Sequence, residues 1–206
     1  MRMNASKQGW AKLGAAALLV LACAGCSQPG DNELGGLRNA QDRVKAGLET
    51  LGTWDADSVA AARSRVAERF KDLDWLVADS ALTFSIEDGQ RIGDWARAKR
   101  FLKDGPERLS ALAREGEVCL EQLAGLGDAI RSGATEDANG TPMGEAYFKR
   151  EAAREIQLVG QWEAAVAETE RLVSSGLDLE KSARASLDSL IRAKRAEWAQ
   201  RIAQEE

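Results

Sequence analysis

The chain predicts an all-α fold, an elongated antiparallel helical bundle or a set of coiled-coil hairpins. Three observations lead there. Beyond Asn32 there are only two prolines, Pro106 and Pro142, few aromatic residues, and an abundance of Ala, Leu, Glu and Arg, which all favour helix. Apolar residues recur at three- and four-residue steps, the period of one helix face. No segment sustains the two-residue alternation of a half-buried strand.

Six helical stretches follow in order. The first, about 33–51, places Leu37, Val44, Leu48 and Leu51 at heptad-like intervals. A turn over Gly52–Asp57 offers Asp55 and Asp57 as N-caps. The second, about 58–80, carries Val59, Val66, Phe70, Leu73 and Val77. A third starts after Ser85, with Asp88 three residues on in the manner of a capping box, and continues through Ile92, Trp95 and Leu102. Asp104-Gly105-Pro106 breaks or kinks the chain, because proline disfavours helix in the residue before it and suits a first helical position.

The fourth stretch, about 106–131, is the cleanest, with Leu109, Leu112, Gly116, Cys119, Leu123, Leu126 and Ile130. A polar loop over Ser132–Thr141 follows, and Pro142 is expected to open the fifth. The fifth runs through Phe148, Ala152, Val159, Trp162, Val166 and Val173 to an expected end at Ser174-Ser175-Gly176, a length of about 50 Å at 1.5 Å per residue. The sixth, about 178–204, carries Leu187, Leu190, Ile191, Trp198 and Ile202. Long helices with short connections pack side by side.

The N-terminus has a different character. Arg2, Lys7 and Lys12 precede an apolar run from Leu13 to Ala24, and no acid occurs before Asp31. That run is too short for a bilayer core, which needs ~20 residues, but suits the centre of an export signal. Leu21-Ala22-Cys23-Ala24-Gly25-Cys26-Ser27 resembles the lipobox of bacterial lipoproteins, with Cys23 where that family usually has leucine. The resemblance covers residues 1–27. It implies that residues 1–25 are a cleaved signal peptide, that Cys26 becomes the acylated N-terminus, and that residues 26–32 form a tether for a bundle domain over 33–206. Ser27 is not aspartate, which in a Gram-negative source is similar to lipoproteins sent to the outer membrane. Acyl chains contribute roughly 0.8 kcal/mol per buried methylene, so two or three make a durable membrane anchor.

Beyond the signal lie all 33 acidic residues and 25 of the 28 basic ones, a net charge of −8 for that part. Such acidity argues against nucleic acid, whose phosphates need a concentrated positive surface. With Cys26 lipidated, Cys119 is the one remaining thiol of the mature chain. It falls on an apolar stripe, where cysteine packs as a small hydrophobe; a bridge between two copies and a nucleophile are the alternatives.

No catalytic constellation emerges, and the expectation is a protein that is not an enzyme and takes no cofactor. The chain lacks histidine, which rules out Ser-His-Asp and Cys-His chemistry and histidine-ligated metals. Glu115 with Glu117, and Asp72 with Asp74, are two apart and point away from each other on a helix. Glu136-Asp137-Ala138-Asn139-Gly140 is oxygen-rich but lacks the spaced acids of an EF-hand, so it reads as a polar turn.

Two features speak to partners. A basic run, Arg91, Arg97, Lys99, Arg100 and Lys103, is either a solvated helix face or a surface for an anionic partner. The candidate partner-binding residues are Trp54, in a turn, with Trp95 and Trp162 on helix stripes. Gly93-Asp94-Trp95-Ala96-Arg97-Ala98 and Gly160-Gln161-Trp162-Glu163-Ala164-Ala165 share the form Gly-x-Trp-x-x-Ala, which looks like the start of the second helix in tetratricopeptide repeats. Only two copies occur, about 67 residues apart instead of 34. Two expectations result: a lipid-anchored helical scaffold or interaction partner with Trp162 or Trp198 exposed, or a hairpin module with a groove lined by Trp95 and Trp162.

Overall fold

The structure is a computed structural model that describes residues 30–205; the expected signal segment and Cys26 lie outside the described residues. A 3-10 turn, Asp31–Glu33, leads into α1 (Leu34–Gly52), α2 (Ala56–Ala78), α3 (Ile86–Leu102), α4 (Gly105–Ser132) and α5 (Glu145–Glu205). Among the described residues there is no strand, only an isolated bridge between Glu136 and Pro142.

The five helices form three legs. α1 and α2 lie end to end along α5 and run parallel to it. Arg43 meets Glu163, Trp54 meets Glu170, Arg65 meets Glu180, Arg69 meets Asp188, and Arg201 meets Asp79, at sequence separations that stay between 115 and 122. α3 and α4 also lie end to end, antiparallel to α5. Leu102 sits at Gly176, Val173 beside Gly105, and Trp162 beside Gly116. The molecule is therefore an up-down-up three-helix bundle in which only the third leg is unbroken. At 1.5 Å per residue the 61 residues of α5 give a rod about 90 Å long.

A seven-residue repeat accounts for this packing. In α1, Leu37, Ala40, Val44 and Leu51 are buried and Gly47 fills the remaining seam position. In α5, Val159, Val166, Val173, Glu180 and Leu187 alternate with Trp162, Thr169, Gly176, Ala183 and Leu190, and all ten are buried. Heptad spacing keeps a narrow stripe facing its partners and imposes a shallow left-handed supercoil.

The helix ends follow local chemistry. The Asp55 carboxylate accepts from the Asp57 amide and caps α2. Ser85 and Asp88 form the expected capping box of α3. Pro106 sits in the first turn of α4, after a break confined to Lys103 and Asp104. Gly133, at φ 65°, closes α4 in the left-handed region.

Four expectations are corrected. The fifth and sixth stretches are one helix, because Gly176 is a packing glycine: a Cβ there would lie 2.7 Å from Leu102 Cγ and 2.8 Å from its Cδ2. Pro142 does not open α5; it closes the preceding loop, where Met143 N donates to Thr135 O at 2.8 Å. In α2 the buried residue is Leu76, while Val77 is exposed, since Leu76 and not Val77 keeps the seam of Val59, Ala62, Val66 and Leu73. Finally, the packed body begins before Glu33. Gly30 is buried at φ 90°, and a Cβ there would lie 2.9 Å from Phe148 Cβ and 3.0 Å from Ile130 Cγ1.

Candidate functional site

The tryptophans singled out in the sequence occupy three different settings. Trp95, on α3, is 0% exposed, and its indole N–H donates to Val66 O at 3.2 Å. It offers no surface to a partner, which corrects its place among the candidates. Trp162, on α5, is 5% exposed, with its ring driven against Gly47 of α1 and Gly116 of α4 and its N–H donating to Leu112 O at 2.9 Å. Glycine is required at both contacts: an added Cβ would come within 2.5 Å of the ring at Gly47 and 2.8 Å at Gly116. The expected exposure of Trp162 is thus not found. Trp54 is half-buried at the junction of α1 and α2, its N–H reaching Glu170 Oε1 at 3.4 Å.

No groove is lined by Trp95 and Trp162 together. The two Gly-x-Trp-x-x-Ala segments lie within α3 and α5 and start neither helix. The legs run as one long bundle, without the stacked hairpins that a tetratricopeptide array requires.

One tryptophan the sequence reading passed over is the exposed one. Trp75 is 47% exposed and meets Trp198 edge to face with ring centroids 5.0 Å apart. This pair stands near the end of the rod opposite Gly30, where Asp79 joins α2 to α5 through Arg201. The Ala81 amide, then Arg201 and Trp198, hold the Asp79 carboxyl below its ordinary range. The signal for Trp75 was its place between Leu73 and Leu76, off the seven-residue seam.

The basic run on α3 is largely engaged. Arg91 pairs with Glu87 and Arg97 with Asp94, while the Lys99 ammonium lies 4.2 Å from the centre of the Phe70 ring. The Glu136–Gly140 loop is likewise self-satisfied: Asp137 Oδ1 accepts from the amides of Asn139 and Thr141, both at 2.8 Å. Among the described residues no three acidic or cysteine side chains come together as metal ligands do.

One charged group sits inside the bundle and one thiol at its edge. Glu180 is buried on the α5 seam, where Arg65 Nε donates to its Oε1 at 2.9 Å and Arg184 donates to both oxygens at 2.6–3.0 Å. Burial pushes its carboxyl pKa up, but the hydrogen bonds and charges of Arg184 and Arg65 outweigh that and hold it below the usual range. Cys119 is half-buried; burial, then Glu155 and Glu115, push its thiol above the ordinary value, the opposite of an activated nucleophile.

Cys119 lies in a surface groove of about 510 Å³ between α4 and α5. Its walls are Ala111, Val118, Leu158 and Ala165, with Trp162 below and Arg114 and Glu115 at the margin. Val118 is 49% and Leu158 39% exposed, the large apolar side chains of this stretch not covered by the fold. One turn further along both helices a second depression, about 500 Å³, continues past Leu126, Met143 and Tyr147.

Among the described residues no helix is long and apolar enough to cross a membrane. Comparison with protein-family models, curated proteins and solved structures finds no match to this chain.

Proposed function

We propose that this is a lipid-anchored, non-enzymatic helical protein of the bacterial envelope, in the outer membrane if the source is Gram-negative, acting as a scaffold or interaction partner. The observation that carries the reading is Leu21–Ser27, with small residues before Cys26 and a basic, acid-free start before the apolar run. The architecture supports it. Gly30 lies four residues past Cys26 and packs between Phe148 and Ile130 at one end of the rod. A lipid on Cys26 therefore holds the bundle by a tip and lets its long acidic flanks face the compartment. The absence of histidine, and the engagement of Asp137, Glu180 and Asp79 in structural contacts, support a binding role over catalysis.

The test is affinity purification from native membranes of the wild type and Cys26→Ala. The wild type is expected in the membrane fraction with recurring neighbours, and the variant outside it without them. A variant that keeps both its membrane association and its neighbours overturns the reading.

A further inference from the structure

We propose that the α4–α5 groove is the docking site for an amphipathic helix of a protein partner, with lysine or arginine along its flanks. This deepens the interaction role above by naming its surface and the chemistry of its partner; it does not require the lipid.

The geometry separates this seam from the one between α5 and the first leg. Ion pairs bind α5 to the first leg at Arg43–Glu163, Arg65–Glu180, Arg69–Asp188, Arg195–Asp72 and Arg201–Asp79. Among the described residues no ion pair joins α4 to α5. In their place lies the apolar trough of Val118, Leu158 and Leu126, floored by Trp162 and open to solvent. Laid one after the other along α4 from Ala111 to Ala129, the two depressions span about 27 Å, the length of a helix of roughly 18 residues. A trough of that length between two helices is the position a fourth helix takes in a bundle, and its apolar stripe would fill it.

Charge selects the occupant. The groove is lined by Glu115, Glu136, Asp137, Glu151 and Glu155, against Arg114 alone. Glu151 is met by Arg150 and Arg154, and Asp137 by its own loop. Among the described residues, Glu115, Glu136 and Glu155 have no ion-pair partner within 4.0 Å. A second copy of the same seam would set these carboxylates against one another, which opposes association. A helix with basic flanks satisfies the carboxylates and the apolar floor together.

The test is isothermal titration of the protein as isolated from its cells, in phosphatidylcholine nanodiscs, or in plain buffer if it carries no lipid. The probes are two synthetic helices of roughly 18 residues with the same leucine stripe, one flanked by lysine and one by glutamate. The lysine helix is expected to bind with a Kd on the order of 10 μM and the glutamate helix at least about tenfold more weakly. Val118→Asp and Leu158→Asp each weaken the lysine helix about tenfold with unchanged helical circular dichroism, and Glu115→Lys with Glu155→Lys reverses the preference.

The proposal is overturned if neither helix binds at about 1 mM, if both bind equally, or if groove substitutions change nothing. A dimer that Val118→Asp splits overturns it too, in favour of a second copy. The intact mass of the same preparation reads the anchor separately, so failure of the groove and failure of the anchor are told apart.

Discussion

Glycines and one glutamate govern this bundle at the scale of single residues. Gly47 and Gly116 make the slot for the Trp162 indole, and a methyl group at either would overlap the ring. Gly116→Ala is expected to cost about 1–3 kcal/mol of stability by urea denaturation, since overpacking forces side chains and backbone apart. Gly125, exposed on the same helix with nothing within 4 Å of an added Cβ, supplies the control. Gly125→Ala is expected to stabilise by about 0.5–1 kcal/mol through helix propensity alone. Equal effects at the two sites would refute the packing account.

Glu180 contributes through ionisation. Its carboxyl pKa is lower folded than unfolded, so its contribution is present above the ordinary value of 4.5 and is lost as pH falls through the depressed folded value. Stability of the wild type, measured by urea titration from pH 7 to pH 3, is expected to fall more steeply than that of Glu180→Gln. Parallel curves would show that the carboxylate plays no such part.

At the scale of elements, α5 sets the frame and the other helices are cut to fit it. Spin labels at the exposed positions Ala153 and Ala185, with Cys119→Ser to remove the competing thiol, are expected about 48 Å apart for a straight helix. A distance shorter by about 10 Å or more would mean a break at Gly176.

Much of this level was legible. The spacing of Leu109, Leu112, Gly116 and Leu123 gave α4, and Ser85 with Asp88 gave the start of α3, because periodicity and capping are local. The continuity of α5 was legible too, in the seven-residue run from Val159 to Leu187, but Ser174-Ser175-Gly176 resembles a terminator until Leu102 is known to lie against it. The burial of Leu76 in place of Val77 turned on the same seam, which alternates steps of three and four. Out of reach were the end-to-end alignment of α1 with α2 and of α3 with α4, which depends on turn geometry at Thr53–Asp55 and Lys103–Asp104. The α4–α5 groove was hidden for a related reason. Val118 and Leu158 are unremarkable in sequence, and only the packing of α4 against α5 leaves them exposed.

At the scale of the whole molecule, the chain is a rod with unlike ends and unlike sides. One end is where Gly30 enters beside Phe148, and near the other Trp75 and Trp198 meet at the surface. One seam is laced with ion pairs and another is an open apolar trough edged with carboxylates. Small-angle scattering of residues 26–206 is expected to give a maximum dimension of at least about 90 Å. A value near about 50 Å would mean that the legs fold back on themselves. On the proposed reading, acyl chains hold this rod at one tip, so that its flanks face the compartment and can gather partners along their length.

The central claim rests on the modification of Cys26, and intact-mass spectrometry of the protein extracted from its native membranes tests it most directly. The account predicts a polypeptide beginning at Cys26 and carrying a diacylglyceryl group with or without a further acyl chain. A polypeptide that retains Met1, or one that begins elsewhere and bears no lipid, would contradict it.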